Sequence, residues 1–159
     1  MYKLVVIITL LISTACLSAG TNSDSKSDSS IVIDNSDQIK ILYQRAEKYI
    51  DESNYNKSLK ILKALTKRED LSSFRADIYN LLGFSYRKLN KPDLDKSFAA
   101  YMMAIEIDPK HIGAHEYLGE LYLMMGKKNK ALEMLIALEL LAGNSSEEYS
   151  DLKKAIAKY

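Results

Sequence analysis

The stretch YNLLGFSY, Tyr79 to Tyr86, is answered thirty-six residues later by HEYLGELY, His115 to Tyr122. Each copy reads as a ring residue, two positions, Leu-Gly, two positions, then Tyr. An eight-residue pattern repeated at a fixed offset marks a stack of like units, each burying its face only against the next.

Outward from these two copies the apolar spacing is helical. Seven short helices are predicted, over residues 37–52, 55–68, 74–89, 93–107, 111–125, 129–141 and 146–158. The first places Ile39, Leu42, Ala46, Tyr49 and Ile50 three and four apart, and the second uses Leu59, Leu62 and Leu65. Ser73 is the expected N-cap of the third helix, and Pro92 suits the start of the fourth. Gly126 and Gly143 close the fifth and sixth. Ser145 with Glu148 reads as a capping box for the seventh, whose apolar side is Tyr149, Leu152, Ala155, Ile156 and Tyr159.

Antiparallel helices need small residues where their axes approach. Gly83 and Gly119 supply them on the first helix of two successive pairs, with Ser97 and Ala131 facing them from the second. Tyr86 and Tyr122, three residues after each Gly, are expected to fill the wedge beside it. Pro109 ends the fourth helix and resets the chain direction.

These residues resemble the tetratricopeptide repeat, W-x₂-L-G-x₂-Y…A-x₃-F…P. One copy, 76–111, matches through Tyr79, Leu82, Gly83, Tyr86, Ser97, Tyr101, Ala104 and Pro109. A second, 112–144, matches through Leu118, Gly119, Tyr122, Gly126 and Ala131, with His115 in the Trp place. A third, 39–73, is degenerate, with Ala46 for Gly and Ser58 for Ala. The resemblance implies an all-α, right-handed superhelix of antiparallel helix pairs, about three repeats plus a capping helix over 146–158, the domain filling 36–159.

In that family the first helix of each pair lines a concave groove that receives a peptide. Carried over by register, the groove positions are Tyr43, Glu47, Ile50 and Asp51 in the first repeat. They are Asn80, Phe84, Arg87 and Lys88 in the second, and Glu116, Glu120, Leu123 and Met124 in the third. The Lys/Asn carboxylate clamp of the chaperone-binding members is missing, since Tyr43 and Glu47 hold those places.

The first residues, MYKLVVIITLLISTACLSAG, run from one charge (Lys3) through an apolar stretch to small residues, the order of a secretory signal. The apolar run from Leu4 to Ile12 is short for a bilayer of about 30 Å. Thr14, Ala15 and Cys16 resemble a bacterial lipobox, with Ser13 departing from the aliphatic residue usual there. The resemblance implies a signal peptide over 1–15 and lipidation of Cys16. Cleavage near Ala19 or Gly20, or an uncleaved anchor, are the alternatives. Residues 16–35 are Ser- and Asp-rich and without periodicity, a tether spanning roughly 25 Å as a coil. Several acyl chains at about 0.8 kcal/mol per buried CH₂ would give stable anchoring.

Composition narrows function by exclusion. Of 159 residues, 47% are apolar and 27% charged, with net charge +1; removal of Lys3 leaves 21 basic and 21 acidic side chains. That balance carries no footprint for nucleic acid. The single cysteine permits no internal disulfide. His111 and His115 lie four apart but have no third ligand to complete a metal site, and no cofactor motif or nucleophile–base arrangement can be picked out, so the chain is read as a non-enzyme. Eleven tyrosines and the pairs Met102–Met103 and Met124–Met125 suit a binding surface, but helical spacing puts most of the rings and about half of these methionines in the core.

The expected function is a lipid-anchored scaffold or adaptor on the periplasmic face of a bacterial outer membrane. Its partner is another protein or peptide, including proteins under assembly such as outer-membrane barrels or pilus secretins. A ligand-binding transport accessory, or a protein that self-associates through an open end of the array, are the alternatives.

Overall fold

The computed structural model describes residues 35–71 and 73–159. The leader, Cys16 and nearly all of the tether lie outside them. Seven helices follow in order: α1 (Asn35–Asp51), α2 (Tyr55–Leu65), α3 (Arg75–Arg87), α4 (Leu94–Ile107), α5 (Ile112–Met124), α6 (Lys128–Ala142) and α7 (Glu147–Lys158). No strand occurs among the described residues.

The helices pair as α1 with α2, α3 with α4 and α5 with α6, and each pair packs on the next through α2–α3, α4–α5 and α6–α7. First helices also meet first helices, α1 with α3, α3 with α5 and α5 with α7. Among the described helices no second helix reaches the next second helix. A stack whose first helices crowd together while its second helices splay apart must curve, with the first helices on the inside. That asymmetry gives the molecule its concave face.

The core runs along the stack in overlapping clusters. Ile39, Ala46, Leu59, Leu62, Leu65, Leu71, Ile78, Leu82, Tyr86 and Ala100 join the first two pairs. Tyr101, Leu118 and Leu121 join α4 to α5. Leu123, Ala131, Leu138, Leu152 and Ile156 seal the last pair under α7.

The small residues are where the repeat pattern puts them, but what fills their notches differs from expectation. A Cβ on Gly83 would lie 2.7 Å from the Tyr101 ring, so Tyr101 of the paired helix, not Tyr86, occupies that gap. A Cβ on Gly119 would lie 2.5 Å from Leu152, so α7 occupies the second notch rather than the Tyr122 ring. The cause is reach. A residue three positions on projects along its own helix, whereas a residue on the neighbouring helix points straight at the bare backbone. Ser97, fully buried, donates from its hydroxyl to the Gly83 carbonyl at 2.8 Å, and buried Ser85 donates to Ser58 at 3.3 Å. Both buried hydroxyl pairs are thereby satisfied.

Helix ends show three further corrections. The N-cap of α3 is Phe74, not Ser73, and makes no side-chain cap bond. The cap of α7 is Ser146, one residue after the expected Ser145; its Oγ accepts from Tyr149 N–H at 3.2 Å. Asp93, after Pro92, caps α4 by accepting from Lys96 N–H at 3.1 Å. Gly126 and Gly143 end α5 and α6 with φ of 72° and 83°, the left-handed region that glycine enters without strain. Tyr159 is exposed, with the Lys128 ammonium 5.7 Å from its ring centroid.

Candidate functional site: the concave face

On α1, Glu47, Ile50 and Asp51 are three and four apart and so share one face. On α3 the matching face carries Leu81 and Phe84, and on α5 it carries Tyr117. These six residues line one cavity of about 420 Å³. Four are groove residues expected from the register. Leu81 and Tyr117 are additions, and they stand in identical places in the two quoted stretches, two residues before each Gly. The repeat therefore did contain the signal that both face inward.

The cavity wall is aromatic. Phe84 and Tyr117 meet at a tilt of 50° with ring centroids 5.1 Å apart, and Tyr55 meets Phe84 edge-on at 6.3 Å. Arg87 lies behind these rings, its guanidinium carbon 5.4 Å from both centroids. It is only 6% exposed. Its Nη1 donates to Glu120 at 2.5 Å, and its Nε donates to the Tyr101 hydroxyl at 3.3 Å. Nη2 is buried without a hydrogen-bond partner. Arg87 and Glu120 are thus bound to each other across α3 and α5, and they tie two repeats together beneath the groove.

The other register positions divide by burial. Lys88 is exposed, its ammonium 5.4 Å from the Phe84 centroid. Tyr43 is half-buried, its ring tilted at 43° against Phe74 with centroids 5.4 Å apart. Burial pushes its phenol well above the ordinary value, with Glu47 and Asp77 adding to the shift. Asn80 is buried beside Gly113, and its Oδ1 has no partner. Leu123 is buried in the cluster under α7, so it contributes to the core and not to the groove wall. Met124 is 49% exposed.

At the far end of the face acidic groups outnumber basic ones. The Glu116 carboxyl is pushed up from 4.5 to about 7, first by burial and then by Glu120, Glu148 and Asp151, with Arg87 the one opposing charge. Tyr117 is raised by burial and by Glu116, with Glu120 and Glu148 adding to it.

The histidines are structural. His111 Nδ1 accepts from Ala114 N–H at 3.0 Å and so caps α5; its other nitrogen, which then carries the proton, donates to Asp77 at 3.2 Å. His115 is buried and its Nδ1 donates to the His111 carbonyl at 3.0 Å. Among the described residues no group of three or more His, Cys, Asp or Glu is placed to hold a metal.

Comparison with known proteins follows the same lines. Residues 100–133 match the family model of the tetratricopeptide repeat. The chain resembles the Yersinia enterocolitica type III secretion chaperone SycD, solved with a peptide of the translocator YopD. The two are 20% identical over 77% of this chain and 88% of that one, with a TM-score of 0.63. It also resembles the TPR2B domain of yeast Sti1, solved in a pHsp70 complex, at 20% identity over 76% and 97% of the two chains, with a TM-score of 0.64. Among curated proteins, human protein O-mannosyl-transferase TMTC2 is 27% identical over 100 residues. Those residues are 62% of this chain and only 12% of that protein's length. The paired helices, the glycine notches, the matched repeat and the neighbours agree: the described residues form a tetratricopeptide-repeat fold.

Proposed function

We propose that this protein is a scaffold or adaptor that holds a segment of another protein in its concave groove. The observation that carries the reading is the cavity between α1, α3 and α5, where Ile50, Leu81, Phe84 and Tyr117 present apolar surface inside an acidic margin of Glu47 and Asp51. Such a concave site with few, placed polar groups suits an anchor side chain of a partner. Solved neighbours of the same fold hold peptides of partner proteins, which supports the reading by analogy. We read its chemistry as binding, the role that the peptide complex of a solved neighbour supports by analogy. The transferase named for TMTC2 is not carried over from a match to 12% of its length.

We place the adaptor on the bacterial cell envelope, anchored through Cys16, on the outer membrane facing the periplasm. What supports this is the order of charge, apolar run, small residues and Cys in residues 1–16. Assistance to outer-membrane barrel or secretin assembly is the role such an anchored groove would serve.

The test is photo-crosslinking in cells. A photoreactive phenylalanine analogue at position 84 is expected to capture a discrete partner, and the same analogue at Met103 on α4 is not. Equal capture at both positions would remove the groove from the proposal. Palmitate labelling that survives Cys16→Ser would remove the anchor.

A further inference from the structure

The partner's chemistry can be taken further, on the reading that the groove is the binding site. The charges along the concave face are uneven in their pairing. Glu120 is neutralised by Arg87, and Asp151 accepts from Lys154 at 2.9 Å. Glu47, Asp51, Glu116 and Glu148 make no ion pair among the described residues. Arg87 is spent beneath the rings, so the one exposed cation among the expected groove positions is Lys88. Two of the unpaired acids, Glu47 and Asp51 of α1, line the mixed cavity itself; the other two, Glu116 of α5 and Glu148 of α7, lie close to each other where those helices pack. Around Glu116 the same imbalance holds: Glu120, Glu148 and Asp151 face it against Arg87 alone, and they add to burial in raising its carboxyl.

We infer that the groove takes a cationic segment, an apolar or aromatic anchor residue flanked by Lys or Arg, with the anchor in the Ile50–Leu81–Phe84–Tyr117 cavity and the cations against Glu47, Asp51, Glu116 and Glu148. A neutral apolar segment would fill the cavity and leave Glu47, Asp51 and Glu148 without a counter-charge, whereas a cation beside Glu116 would also draw its raised carboxyl back toward the charged form. An acidic one would add repulsion to an acidic field. The tether of this chain, with Asp24, Asp28 and Asp34 against Lys26, has the wrong sign to occupy its own groove. A basic partner segment also gains in rate, because opposite charge steers encounter.

The probes are two short synthetic peptides that share an apolar Leu-Phe centre and differ only in flanking Lys or flanking Glu. Binding is read by fluorescence anisotropy on the full chain. The Lys peptide is expected to bind at least about tenfold tighter than the Glu peptide, with affinity falling as salt rises. Replacing its Leu-Phe by Ser-Ser should abolish binding. The double variant Glu116→Gln/Glu148→Gln, which removes charge and keeps shape, should lose about tenfold for the Lys peptide, while Glu133→Gln on α6 changes nothing. Equal affinity for the two peptides, failure of both to bind, or an equal loss from Glu133→Gln overturns the inference. So does undiminished binding of the Ser-Ser peptide, which would make the site a mere polycation trap. The crosslink from position 84 separates the two levels. A partner captured there with no preference for Lys peptides would sink the charge argument and leave the groove standing.

Discussion

Gly83 and Gly119 stand at the same register, yet alanine at the two places has different consequences. At Gly83 the new methyl meets the Tyr101 ring, which is wholly buried and held at its hydroxyl by Arg87. That ring has nowhere to go, so Gly83→Ala should cost about 2–3 kcal/mol. At Gly119 the methyl meets the branch tips of Leu152, on the last described helix. These tips can rotate and α7 can shift, so the cost should be about 1 kcal/mol. Paired urea titrations would measure both, and a Gly119→Ala cost equal to the Gly83→Ala cost would refute the assignment of which neighbour is rigid. Glu116 gives a second test at this scale. Its folded carboxyl is raised to about 7 from an ordinary 4.5. Between those values the folded chain keeps a proton that the unfolded chain has released, so this group makes stability fall as pH rises through the window. Glu116→Gln should therefore raise stability at pH 8, by about 1 kcal/mol once water screening of the half-exposed group is allowed for. It should also flatten the pH dependence from about 4.5 to 7, and thermal melts across that range would read it.

Among the elements, α5 depends on a cap of an unusual kind. His111 replaces the common Ser, Thr, Asp or Asn and satisfies the Ala114 N–H with a ring nitrogen, while its far side reaches Asp77 on α3. His111→Ala should cost about 1 kcal/mol, and His111→Asn should recover most of it, since Asn also presents an acceptor at this position. If Asn recovered nothing, the Asp77 contact and not the cap would be the part that matters. This cap illustrates what the sequence could not disclose. Helix existence followed from apolar spacing, a property of one element, and all seven helices were legible on that basis. Caps depend on the backbone angle of a single residue, and neighbouring candidates such as Ser145 and Ser146 are equivalent on paper. The groove shows the same division. Glu47, Ile50, Asp51 and Phe84 could be placed by register because the concave direction is a property of the repeat. The burial of Arg87 could not, because it requires knowing that Glu120, thirty-three residues on, comes within 2.5 Å of it. Leu123 was misplaced for the same reason: it stands thirty-six residues after Arg87, and α7 covers it as α5 covers Arg87.

Over the array of described helices, contacts run only within a pair or between adjacent pairs, and this makes a prediction about how it comes apart. Leu152 and Ile156 of α7 complete the cluster of Leu123, Ala131 and Leu138, while the clusters around Leu62 and Tyr101 draw nothing from α7. Each of those two side chains contributes about 1.5–3 kcal/mol by burial. A chain ending at Asn144 would leave the Gly119 notch empty and the inner sides of α5 and α6 open to water. In a quasi-one-dimensional array the loss should stay local. Backbone amides of α6 and the second half of α5 should lose hydrogen-exchange protection, while those of α1 to α4 keep most of theirs. The start of α5 should be intermediate, because His111 still caps it and still reaches Asp77 on α3. Exchange followed by mass spectrometry would resolve the three zones. Uniform loss across α1 to α6 would mean that the Arg87–Glu120 and His111–Asp77 links, which join α3 to α5 and to the turn before it, fuse the stack into one cooperative unit. The double variant Arg87→Met/Glu120→Leu, which replaces the first of those links by apolar side chains, would then be expected to restore graded behaviour to the shortened chain.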